Sequence, residues 1–132
     1  MKYMLIKTYS PAANCDTNLT QWKPEEVKAH IDFQVALGEE LRRTGEFVDA
    51  QGLAWPDEAK IVSSDGRSAP VVTDGPFLES KEFLAGYWIV DVDSPERAVE
   101  IAAKASASPG PGGVPIAEYI QVRAIMSAPA AD

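Results

Sequence analysis

Residues 2–9 alternate cleanly, with Tyr3, Leu5 and Lys7 on one side and Met4, Ile6 and Thr8 on the other, and they are rich in β-formers. This predicts a first strand, interior to a sheet. Residues 10–23 hold Ser, Pro, Asn, Asp and Thr without a period and read as a long loop, a kind of segment that in small domains often carries function. Pro24-Glu25-Glu26 then opens a helix: proline fits the first turn, where its missing N–H is not needed, and two acids complement the positive end of the dipole. Gly45 closes it. His30, Phe33, Leu37 and Leu41 fall on one stripe, flanked by Val27, Ile31 and Gly38, and that stripe is expected to lie on the sheet.

Short apolar pieces follow at residues 46–48, 52–53, 59–62 and 70–73, with Asp65-Gly66 as a hairpin signal between the last two. From Phe83 to Val92 the apolar residues run almost unbroken, as in a central strand covered on both faces. Tyr87 and Trp88 must point to opposite faces of it, one toward the helices and one toward a dimer interface. Ser94-Pro95-Glu96 starts a second helix, an N-cap serine followed by proline at the first helical position, with Ala98, Ile101, Ala102 and Ala105 at helical spacing. The run Pro109-Gly110-Pro111-Gly112-Gly113 ends that helix, and residues 115–126 read as a last strand before a flexible tail at 127–132.

The order β-α-β, hairpin, β-α-β is a split βαβ pattern with an inserted hairpin: an α+β, ferredoxin-like domain over residues 1–126, two helices on one face of an antiparallel sheet. Helices on one face leave the other open, and Leu5, Tyr87, Trp88 and Ile89 are too apolar for both faces to be wet. A second copy is the economical cover, which predicts a homodimer with a dimeric, α+β barrel-like assembly.

Composition narrows the function classes. A net charge of −8 with no Lys/Arg stripe argues against nucleic acid as a partner. One cysteine, Cys15, and one histidine, His30, exclude an internal disulfide and a Cys/His metal cage, and no cofactor is expected. Neither a signal-peptide core nor a run of membrane-spanning length is present in these 132 residues, so a cytoplasmic protein with no membrane partner is expected.

The most distinctive segment is Val72-Thr73-Asp74-Gly75-Pro76-Phe77-Leu78-Glu79-Ser80-Lys81-Glu82-Phe83-Leu84-Ala85-Gly86-Tyr87-Trp88. It resembles the DGPF signature of the YCII-related family. The resemblance extends to Met1-Lys2-Tyr3-Met4, Gly45, Gly52-Leu53-Ala54 with Pro56, and residues 91–98, leaving residues 10–23 and 106–115 private to this chain. It implies the same ferredoxin-like fold, dimers packed through their sheets, and a cleft as the site of any activity. Some relatives pair a helix histidine with an aspartate at the position of Asp74, and one resembles an aromatic-ring dehydrochlorinase. Counting back from Gly45, that histidine position falls on Gln34, and His30 lies one turn earlier, about 5 Å along the helix.

His30 and Asp74 are therefore the candidate catalytic pair, the imidazole shuttling a proton and the carboxylate holding its tautomer or acting as a base itself. Gln34, Phe77, Lys81 and Tyr87 are candidate substrate contacts, Lys81 as a charge that would attract an acidic ligand. Each has a structural alternative: Asp74 capping a turn in which Gly75 supplies φ > 0, His30 as a packed core group, Glu79, Lys81 and Glu82 as a solvated rim. Two functions stay open. One is a small cofactor-free enzyme doing elimination or isomerisation by acid/base chemistry on a small organic molecule. The other is a non-catalytic metabolite-binding or regulatory dimer in which DGPF is a structural turn.

Overall fold

A computed structural model describes residues 1–8, 21–75 and 83–127. The elements run β1 (Lys2–Thr8), α1 (Pro24–Thr44), β2 (Phe47–Gly52), β3 (Lys60–Ser63), β4 (Val71–Asp74), β5 (Leu84–Asp91), α2 (Pro95–Ser106) and β6 (Ile120–Ala124). Four strands form one antiparallel sheet in the order β2-β5-β1-β6, and β3 with β4 forms a separate two-stranded sheet. This is the α+β, ferredoxin-like split βαβ arrangement with its hairpin inserted between β2 and β5, and β1 is interior.

Local chemistry sets the boundaries. At the start of α1 the Glu26 carboxylate accepts the Lys23 N–H at 2.9 Å, half of a capping box. At its end Gly45 adopts φ 79°, ψ 10°, and the Glu46 N–H bonds back to the Leu41 carbonyl at 2.9 Å, a left-handed C-cap that residues with a Cβ disfavour. Ser94 Oγ accepts the Arg97 N–H at 3.2 Å and caps α2.

The register puts Tyr3, Leu5, Lys7, Gly86, Trp88 and Val90 on the helix-covered face, and Met4, Ile6, Tyr87 and Ile89 on the other. Leu5, Leu41, Val90 and Ile101 are fully enclosed between sheet and helices. Burying each of the larger side chains contributes about 1.5–3 kcal/mol. Where α2 meets the start of β2, Arg97 grips Glu46 with two parallel bonds, both 2.8 Å, which hold the Glu46 carboxyl down at about 2.

Three expectations change in the structure. Ile31 is exposed rather than turned to the sheet, because it stands roughly 100° round the helix from the His30–Leu37–Leu41 stripe. The last strand is shorter than residues 115–126 because the preceding stretch folds back on α2. The N–H groups of Ile116 and Ala117 bond to the carbonyls of Ser108 (2.9 Å) and Ser106 (3.0 Å), and Ala117 takes φ 56°, which breaks the pleat. Finally, β2 is one strand with a bulge between Phe47 and Asp49, not two fragments.

Candidate functional site

His30 and Gln34 stand four residues apart on α1, hence on one face one turn apart. His30 is buried, and both ring nitrogens are engaged: Nδ1 lies 3.1 Å from the Pro109 carbonyl oxygen and Nε2 lies 3.0 Å from the Gln34 amide nitrogen. A carbonyl can only accept, so Nδ1 carries the proton and donates it. In the neutral ring Nε2 then holds the lone pair and accepts from Gln34. One tautomer is thereby selected by its neighbours. The ring also meets Trp22 in a T-shaped pair, with centroids 5.3 Å apart and planes at 88°.

Burial is the main cause that pushes the His30 pKa below its ordinary value, and the nearby Lys7 charge adds to it, while the Pro109 carbonyl and Glu118 act the other way. The imidazole is consequently a neutral base at pH 7. Lys7 and Glu118 form an ion pair at 3.0 Å with side chains only 15% and 18% exposed. Sequence reasoning assigned Lys7 only to the face of Tyr3 and Leu5 and passed over Glu118. A lysine third in a row whose first two members are core residues is the signal that marks it.

The segment around Pro109 is fastened to α1 twice, by the His30–Pro109 bond and by the Gly112 N–H, which donates to Glu26 Oε2 at 2.6 Å. That bond is the main cause holding the Glu26 carboxyl below its usual range. Gly112 and Gly113 adopt φ 68° and 76°, which explains the glycine pair at the tip.

Asp74 ends β4 and pairs with Lys60 across the hairpin, its side chain 81% exposed. Among the described residues the hydrogen-bond partners of His30 are thus Pro109 and Gln34, and that of Asp74 is Lys60. The tautomer-holding task expected of Asp74 is performed here by a backbone carbonyl. Gly75 does not have the positive φ expected of it. Its need is for space, because a Cβ there would stand 3.1 Å from Ile61 Cδ1 and 3.2 Å from the Ala59 Cβ, and its N–H bonds to the Ala59 carbonyl at 2.8 Å. Tyr87 lies on the open face, its hydroxyl donating to Asp49 Oδ2 at 3.0 Å, and so is separated from His30 by the sheet. Phe77, Lys81, Glu79, Glu82, Cys15 and the tail beyond Ser127 lie outside the described residues.

Away from His30, an open apolar cleft of about 330 Å³ is lined by the β2–β3 connection, residues 53–56, Glu58 and Ala59, and by Leu84 at the start of β5. No group of three or more His, Cys, Asp or Glu side chains able to hold a metal ion occurs among the described residues. Nor is any helix among them long and apolar enough to cross a membrane.

A four-stranded antiparallel sheet backed by two helices, with a polar centre at one end of the layer between them, defines a ferredoxin-like α+β domain. The family model of the YCII-related domain matches residues 1–118, and the chain belongs to that family. A comparison with curated proteins returns no match.

Proposed function

We propose that this YCII-related domain is a small cofactor-free enzyme in which the neutral His30 imidazole takes a proton from a small organic molecule, in an elimination or isomerisation. The observation that carries this reading is the fixed tautomer: Nδ1–H held on the Pro109 carbonyl leaves the lone pair on Nε2, the arrangement a general base requires. Gln34 covers that lone pair, and a substrate would displace its amide. The Pro109 carbonyl then stabilises the imidazolium formed when the proton arrives. Asp74 is the second proposed catalytic group, since its pairing with Lys60 is exposed and weakly held. Phe77 and Lys81, next to it in sequence, are proposed substrate contacts, together with Gln34; Tyr87, expected as a further contact, stands on the other face of the sheet and goes with the proposed dimer interface.

A second reading, a metabolite-binding or regulatory module, draws on the same bonds: a buried histidine with both nitrogens satisfied is also what a static site contains. In either case we propose a homodimer through the open face of the sheet, where Met4, Ile6, Tyr87 and Ile89 are only half-buried in a single chain.

Titration of the single histidine by NMR separates the two readings. The enzyme reading expects His30 to titrate below 6.5, to move upward in Gln34→Ala, where the donor favouring the neutral ring is gone, and to fall in Asp74→Asn if that carboxylate reaches the site. An imidazole that takes up no proton before the protein unfolds in acid overturns the enzyme reading and leaves the binding module.

A further inference from the structure

Lys7 and Glu118 have no task in the proton transfer just described, yet their placement asks for one. Lys7 occupies the helix-covered face of β1, in register with Gly86 and Ile120, where the two preceding positions are core residues. Among the ion-paired cations of the described residues its side chain is the most enclosed, 15% exposed against 27% for the next, Arg97. An ammonium in such a place has lost most of its hydration and needs polar partners. It carries three N–H donors. Glu118 Oε1 stands 3.0 Å from it, and yet this buried oxygen completes no hydrogen bond among the described residues, so there the pair is held by charge and not by directed bonding.

Glu118 is also delivered at a conformational cost. Ala117, the residue before it, sits at φ 56°, a left-handed conformation that a Cβ disfavours. The Ala117 N–H on the Ser106 carbonyl at 3.0 Å and Ser106 Oγ donating to the Glu118 carbonyl at 2.6 Å keep the backbone there. Strain of this kind persists where the surrounding structure enforces it, and here it brings a carboxylate to Lys7. The result is a loosely bonded counter-ion on an enclosed ammonium, within electrostatic reach of a base whose lone pair is covered by one exchangeable amide.

We propose that Lys7 is the anion-recognising residue of the His30 site and that the site's ligand is a small organic carboxylate, which takes the place of Glu118 on the ammonium. The idea rests on His30 marking a ligand site, and it names the substrate class. Exchange of one carboxylate for another keeps Lys7 paired throughout, and Glu118, 18% exposed, already has a path to water. The indole of Trp22 beside the imidazole offers apolar contact to the organic part of the ligand. With a net charge of −8 the surface as a whole repels anions, so a bound carboxylate reports a local cation and not a general field.

The test uses the full chain with propionate and benzoate as probes and their uncharged amides as controls, reading the His30 imidazole resonances. The expected result is a saturable shift with at least one acid, binding about tenfold or more tighter than its amide, lost in Lys7→Met and largely kept in Lys7→Arg. Glu118→Gln is expected to tighten binding severalfold, because the internal competitor is gone; a merely structural ion pair predicts no such gain. The double variant Lys7→Met/Glu118→Gln, which leaves no orphan charge, provides a folded reference should either single change unfold the protein. Equal affinity for acid and amide, binding indifferent to Lys7→Met, weaker binding in Glu118→Gln, or no saturable shift with either acid would each overturn the proposal. Carboxylate binding beside a non-titrating His30 would instead sink the proton-transfer reading and leave the Lys7 assignment standing.

Discussion

At one end of the helix-covered face Tyr3, Val90 and Phe47 stand in register, apolar and packed under the helices, with the Glu46–Arg97 clamp at the rim. At the other end, four residues along the same strand, the register position belongs to Lys7, paired with Glu118 and close enough for its charge to act on His30. The same strand, face and pleat thus carry two different environments. The first end has features that stabilise a fold: apolar side chains buried or partly buried under the helices, a bidentate ion pair with both partners well bonded, and a capped helix terminus. The second has features that stability does not call for, namely an enclosed ammonium, a carboxylate oxygen without a hydrogen bond and a strained alanine. On the proposed reading stability and chemistry are segregated along β1, with Leu5 the last of the core residues before Lys7.

The sharpest way to break this contrast is to cut the apolar side. Leu5 is fully buried at the centre of the sheet, opposite Trp88 and Val122. Leu5→Ala is expected to cost about 3 kcal/mol, the transfer term plus the cavity left behind, read as a lower urea midpoint at unchanged slope. A loss well under 1 kcal/mol would mean that this end is not the stabilising one.

Acid separates the two ends next. Burial lowers the pKa of His30, so the unfolded chain binds more protons than the folded one below 6.5. Stability from this source therefore falls as the pH drops through 6.5 and stops falling below the folded value. Glu46 is also lowered, from 4.5 to about 2, by Arg97, so its contribution is present above 4.5 and lost as the pH falls toward 2. Two acid steps are expected, the upper from His30 and the lower from Glu46 together with the other lowered carboxyls, Glu26, Glu40 and Asp65. His30→Gln removes the upper step. Glu46→Gln costs about 1–2 kcal/mol at neutral pH and reduces the lower one. Thermal midpoints across this pH range read both, and a single step untouched by either variant would dissolve the distinction.

How much of this could be seen in the chain alone depended on how local the determining physics was. The α1 boundaries followed from Pro24, the acids after it and Gly45, because caps act over a few residues. β5 followed from its apolar run. The interior position of β1 followed from alternation. Residues 115–119 resisted because their hydrogen bonds go to Ser106 and Ser108 at the end of α2, a tertiary choice that outweighs a tolerable strand pattern. His30 was legible as a candidate since it is the only histidine in the chain. Gln34, one turn along, was legible beside it; the other partner was not, because the Pro109 carbonyl lies 79 positions away and leaves no mark on side-chain identity. Gly75 shows the same limit, because the motif suggested a backbone conformation while the structure shows a shortage of space beside Ile61.

The smallest expected effect belongs to the hairpin that carries Asp74. All four residues of β4 are exposed, and β3 and β4 bond to one another and not to the main sheet. The Asp74–Lys60 pair lies in solvent, its side chains 81% and 63% exposed, where Coulomb attraction is screened and ordering two side chains offsets most of what remains. Asp74→Asn is therefore expected to leave the urea midpoint within the error of measurement, even though the residue stands in the most distinctive motif of the chain. That outcome would place the motif outside the cooperative core and leave function as the reason to look for its role, with the His30 titration in the same variant as the readout. A clear drop in midpoint would instead join the hairpin to the core, and the turn built from Asp74, Gly75 and Ala59 would then be a structural device in its own right.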